Sequence, residues 1–207
     1  MSIAEKFETI ADEVYEKGKE DELKSYWGDY QNNGEPTYYA YAFYSAKWTD
    51  VMYKPQYDFI CRSTVNNMYL QSGVTDTIKP IDITALTSNS SAMFSYSKIK
   101  TVRKLIVGEH NTFDKCFQSC SKLENITFEG TIGRSVSFAD CPLTINSMKN
   151  VIEHLKNYAG TSSEFTYSVT FSSGCLTMLE ALDPATDPSP NGNSWTQYLD
   201  DIGWLYN

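Results

Sequence analysis

The chain has 207 residues, 41% of them hydrophobic and 21% charged, a globular composition that excludes wholesale disorder. Its net charge of −9, with no clustered Lys/Arg face, excludes nucleic acid and argues against an anionic membrane surface as partner. No run approaches the ~18 apolar residues that a bilayer span needs.

The charge is uneven along the chain. Residues 1–35 hold ten acids against four lysines. Within them, Ile3, Phe7, Ile10 and Val14 recur at spacings of four, three and four, which predicts a helical region over 2–30, interrupted at Gly18. That stripe reads either as an oligomerisation seam, making the chain a homo-oligomer, or as a helix covering one end of the domain. The opening "MSIAEKFETIADEVYEKGKE" lacks the basic and continuously apolar regions of a secretory signal. The expectation is a cytoplasmic or virion-associated protein. "QNNGEP" (31–36) then ends the helix with turn chemistry.

From there the chain carries a recurring pattern: an aromatic, a small residue three positions on, and an apolar residue shortly after. The copies are Phe43/Ala46/Trp48, Tyr69/Ser72/Val74, Phe94/Ser97/Ile99, Phe117/Cys120/Leu123 and Phe138/Cys141/Leu143. The first four lead to short alternating segments, 57–59, 81–83, 105–107 and 126–128. Two ladders in phase predict stacked coils, each with one short parallel strand and a buried aromatic on the opposite wall. With Tyr57/Phe59, Ile81/Ile83, Leu105/Val107 and Ile126/Phe128 pointing inward, Asp58, Asp82, Ile106 and Thr127 form an outward row, the candidate binding surface. Its mildly acidic character suits a protein partner.

Residues 144–207 change pattern. Thr144 is placed as the N-cap of a helix over 146–158, with Met148, Val151, Ile152 and Leu155 on one face and Gly160 as its stop. "EFTYSVTFS" (164–172) alternates Phe165, Tyr167, Val169 and Phe171, a strand that could extend the ladder by one. A short helix in "SGCLTMLEALDP", a loop over "ATDPSPNGNS", and a terminal helix with a closing extended segment in "WTQYLDDIGWLYN" follow. The fold expected is an α/β repeat: a short leucine-rich-repeat-like solenoid with a parallel strand ladder. It divides into an acidic helical segment (1–35), the solenoid (36–143) and an α/β cap (144–207) that seals its open end.

Other constellations carry less. Cys116 and Cys120 are spaced C-x₃-C, without the second pair that a zinc site needs, and Cys120 fills the slot held elsewhere by Ser72 and Ser97. Five cysteines in a chain of this size read as reduced, buried thiols. His110 and His154 have no evident orienting carboxylate or nucleophile, and no catalytic motif is present. No catalytic residue, metal or cofactor is assigned, and a hydrolase is only an alternative. The tyrosine-rich stretch 38–59 has two readings. Exposed, Tyr38, Tyr39, Tyr41, Tyr44 and Tyr53 would form a stacking platform for a glycan or a hot spot for a protein, with Tyr38, Tyr39 and Tyr44 as the candidate contacts. Buried, most of these rings would fill the N-terminal end of the core, the reading favoured, with one or two keeping an edge in water.

"F-x-x-C-x-x-L-x-x-I-x-F", at Phe117, Cys120, Leu123, Ile126 and Phe128, resembles the BspA-like branch of bacterial leucine-rich-repeat proteins. The layout of an acidic helix, a Tyr-rich segment and irregular coils is similar to repeat proteins encoded in prophages of gut Firmicutes. The resemblance implies a non-enzymatic protein-protein interaction module, in a prophage structural or host-interaction setting.

Overall fold

The computed structural model describes residues 9, 30, 31, 34, 38–47, 53–86, 90–161 and 166–207. All of the helix expected over 2–30 except Thr9 and Tyr30, its oligomerisation role, most of the 31–36 turn, Trp48 and Phe165 lie outside the described residues.

Four parallel strands form one sheet in sequence order: β1 (Phe59–Ile60), β2 (Ile81–Asp82), β3 (Thr101–Val107) and β4 (Asn125–Gly130). A second parallel sheet follows, with β5 (Val136–Phe138), β6 (Ser168–Phe171) and β7 (Leu205–Tyr206) in that order. Three helices complete the described chain: α1 (Ile145–Glu153), α2 (Ser173–Glu180) and α3 (Trp195–Asp201). The fold is mixed α/β with parallel sheets, and one apolar core runs through it from Tyr39 to Trp204.

Opposite the first sheet, tight turns carry the aromatics. Around Phe43, the amides of Ala42, Tyr44 and Ala46 bond to the carbonyls of Tyr39, Tyr41 and Phe43, three overlapping turns. Tyr41 and Ser45, the third residues of the outer two, have φ of 57° and 52°, as type II turns require. Asn67 and Gln71, Ala92 and Tyr96, and Lys115 and Ser119 flank Tyr69, Phe94 and Phe117 in the same positive-φ state. Such backbone costs on the order of 1 kcal/mol per non-glycine residue. Interturn bonds offset it: Tyr41, Phe43 and Ser45 donate to Asn66, Met68 and Leu70, and the next two turns donate onward in the same way.

In-register backbones at sheet spacing put the aromatic rings face to face. Centroids lie 5.2 Å apart for Tyr69–Phe94, 5.6 Å for Phe94–Phe117 and 4.7 Å for Phe117–Phe138, with interplanar angles of 14°, 10° and 26°. The small positions seal the layers. Cys120 Sγ donates to Phe94 O (3.0 Å) and Cys141 Sγ to Phe117 O (3.6 Å), each thiol reaching the aromatic's carbonyl one turn earlier. All five cysteines are free and buried.

Side-chain amides stand in for backbone where the ladders are interrupted. Gln31, fully buried, accepts from Gln56 N (2.7 Å) and Tyr57 N (3.0 Å) and donates to Tyr57 O (2.5 Å). Asn111 accepts from Gly108 N (2.7 Å) and donates to Ile83 O (3.0 Å) and Leu86 O.

Thr144 caps α1 as expected, its hydroxyl accepting from Ser147 N. Met148, Val151 and Ile152 face the core. The helix stops at Glu153, however, not near 158, because the chain beyond it returns to ladder pairing: Ile132 N donates to His154 O and Lys156 N to Ile132 O. β6 does not extend the first sheet either. It pairs with β5, with Phe138 opposite Phe171, so it continues the aromatic side of the molecule.

Candidate functional site

The outward surface of β1–β4 is built from a register that differs from the one expected. Phe59 pairs with Ile81, Ile81 with Leu105 and Leu105 with Phe128. The outward row across all four strands is therefore Ile60, Asp82, Ile106 and Glu129. Asp58 and Thr127 remain exposed, but each lies two residues before the row. Tyr57, expected inward, is exposed, because Gln31 holds its backbone just ahead of β1.

β3 bulges against β4. Val102 pairs with Ile126 and Leu105 with Phe128, so three residues of β3 span two of β4. Arg103 and Lys104 occupy the bulge, both partly exposed. Arg103 Nε grips both oxygens of Asp76 (3.0 and 2.9 Å), and Lys104 Nζ lies 2.6 Å from Glu129 Oε2. The Glu129 carboxylate raises the Lys104 ammonium pKa, first through this hydrogen bond. Such exposed pairs add little stability, yet they orient the side chains.

Asp82 is held differently. Its Oδ1 accepts from Thr84 N (2.9 Å) and Thr84 Oγ1 (2.7 Å), so the carboxylate bonds neutral donors. Ile60 and Ile106, each half-buried, flank it from the neighbouring strands. The face thus alternates apolar and acidic positions, with Arg103 and Lys104 already engaged by Asp76 and Glu129.

The tyrosine-rich stretch divides by turn geometry. Tyr39 is 2% exposed, sits 5.1 Å from Phe59 edge to face and cannot contact a partner, which corrects its place among the aromatic contact candidates. Tyr38, Tyr41 and Tyr44 are 61%, 57% and 44% exposed, more open rings than expected. Tyr41 and Tyr44 pack edge to face at 5.9 Å. Tyr53 is buried, its hydroxyl donating to Thr77 O (3.1 Å) and accepting from Tyr69.

Where β4 meets α1, an open cleft of about 250 Å³ is lined by Asn125, Ile126, Thr127, Thr144, Asn146, Ser147 and Asn150. Sequence reasoning singled out Thr127 and the cap residue Thr144, but not the three asparagines, because their convergence depends on how α1 docks on β4.

The thiols are chemically quiet. Burial pushes Cys120 up to about 12 and raises Cys61, Cys116 and Cys141 well above the ordinary thiol range. Among the described residues, no three His, Cys, Asp or Glu side chains cluster to hold a metal. His110 is exposed, 3.3 Å from Glu109 Oε1, and His154 Nδ1 lies 2.8 Å from Asn150 O. Among the described residues, no helix is long and apolar enough to cross a membrane.

Comparison with protein-family models, with curated proteins and with solved structures gives no match.

Proposed function

We propose that this chain is a non-enzymatic protein-protein interaction module that binds its partner through the outward row Ile60, Asp82, Ile106 and Glu129. The observation that carries this reading is the in-order register of β1–β4, which aligns alternating apolar and acidic side chains across neighbouring strands. A half-buried isoleucine offers desolvation, and the Asp82 carboxylate, bonded to the neutral donors of Thr84, offers charge complementarity to a basic group. The architectural reading behind it is a short leucine-rich-repeat-like solenoid over 36–143. It is supported by the stacked rings and the recurring positive-φ turns. In that reading 144–207 is a cap, and the BspA-like resemblance suggests a prophage structural or host-interaction setting.

A photo-crosslinking residue placed at Ile106 tests the face directly. Adducts to one protein from position 106, and none from Gln71 on the opposite side, are expected; equal yields from both positions would refute the reading.

A second reading, a glycan surface, is favoured by one observation: the exposed Tyr38, Tyr41 and Tyr44 share a single turn region. A glycan array distinguishes it, because binding that is lost in Tyr41→Ala would select this surface over the strand face.

A further inference from the structure

The first sheet ends at β4, and α1 occupies the place of the next strand. Two α1 side chains supply the acceptors that a strand would offer: Ser147 Oγ accepts from Ile126 N (3.0 Å) and Asn150 Oδ1 from Phe128 N (2.6 Å). Beside this seam lies the cleft of about 250 Å³, on the same side of β4 as Thr127. Its lining includes three primary amides and two threonine hydroxyls, and neither a charged nor an aromatic side chain.

That inventory narrows the ligand. A site without charge favours a neutral ligand, and one without a ring offers no stacking platform for a sugar face or a nucleobase. What primary amides match is a peptide group, since each presents one acceptor oxygen and a donor NH₂ side by side. The same amide-to-peptide pairing occurs at the other end of the sheet, where the Gln31 amide accepts from Tyr57 N and donates to Tyr57 O at the bend before β1. In the cleft, Asn150 has committed its oxygen to Phe128 N, and Asn125 Oδ1 accepts from Thr144 Oγ1 at 3.4 Å. Their NH₂ groups, the whole Asn146 amide and the Thr127 hydroxyl have no hydrogen-bond partner among the described residues.

We propose that the β4–α1 cleft is a main-chain clamp: Asn125, Asn146 and Asn150 hydrogen-bond the peptide groups of an extended, uncharged segment of the partner protein. This rests on the protein-interaction reading and adds to it a binding mode that is independent of the partner's side chains. Glu129 lies two residues along β4 from Thr127, so a partner crossing the outward row can reach the clamp without leaving the face.

The test uses the full chain labelled with ¹⁵N and two probes, acetyl-triglycine-N-methylamide, which is bare main chain, and methyl glucoside. Side-chain NH₂ signals of Asn125, Asn146 and Asn150 should shift saturably with the tripeptide and not with the glucoside. Asn146→Ala, an exposed position, should weaken the response about tenfold, the equivalent of roughly one good hydrogen bond. No saturable shift with the tripeptide, or shifts with the glucoside alone, would overturn the clamp. The Asp82→Ala/Ile106→Ala protein separates this from the parent reading. Loss of partner binding in that variant alongside a tripeptide-silent wild type would sink the clamp and leave the face. A working clamp with partner binding untouched by that variant would do the reverse.

Discussion

Phe94 and Phe117 lie face to face, ring centroids 5.6 Å apart and planes 10° apart, although 23 positions separate them in sequence. Phe117 also meets Phe128 of β4 nearly edge-on at 6.4 Å, joining the aromatic side of the core to the strand that carries Glu129. Truncation of Phe117 to alanine should therefore cost ~3–5 kcal/mol and lower Tm on the order of 10 °C. Phe94→Leu, which keeps most of the volume, should cost about 1.5 kcal/mol or less. Thermal melts of the two variants decide it, and equal losses would argue against the stack as a main support.

Two buried hydroxyls should differ in value. Tyr69 donates to Tyr53, which donates to Thr77 O. Tyr69→Phe leaves Tyr53 bonded, whereas Tyr53→Phe strands the Tyr69 hydroxyl in the core, so the second change should cost about 1–2 kcal/mol more. Denaturant titrations measure the difference, and the opposite order would overturn this donor assignment.

Glycines test how closely successive chain passes approach. A Cβ at Gly133 would sit 2.3 Å from Glu109 O, so Gly133→Ala must displace backbone and destabilise by roughly 1–3 kcal/mol. At Gly174, inside α2, a Cβ meets nothing within 4 Å, and Gly174→Ala should stabilise by about 0.5–1 kcal/mol. A shared sign for the two changes would contradict the packing described.

The thiols give a pH dependence with a definite sign. Burial raises Cys120 to about 12 and lifts Cys61, Cys116 and Cys141 as well. The unfolded chain loses these protons near its ordinary thiol value while the folded chain keeps them, so stability is full below about pH 8.5 and falls as pH rises beyond it. Urea midpoints across pH 7–10 should decline accordingly, and a thiol reagent at pH 8 should react with the five cysteines only on unfolding. A midpoint that stays flat to pH 10 would contradict the burial.

Much of the frame was legible in the sequence. Thr144 as a cap, the β6 alternation and the spacing of Phe94, Phe117 and Phe138 are local or periodic signals, and each corresponds to a feature in place. The site's register was not legible. A slide of two residues keeps every side chain on its own face, so alternation alone aligned Asp58 and Thr127 with Asp82 and Ile106 where the structure puts Ile60 and Glu129. The side-chain substitutes for backbone were equally hidden: Gln31 acts on Tyr57, and Ser147 and Asn150 act on β4, through contacts more than 20 residues apart. α1 ended early for the same reason, since the pull of Ile132 on the chain after His154 is not written near that helix.

The most direct test of the outward row is the Asp82→Ala/Ile106→Ala double variant, assayed together for partner capture and for Tm. Both side chains are half-buried and Asp82 bonds Thr84, so the double variant should lose capture while Tm falls by only a few degrees and the protein stays folded. Capture at wild-type strength by a variant that folds normally would contradict the claim that this face binds.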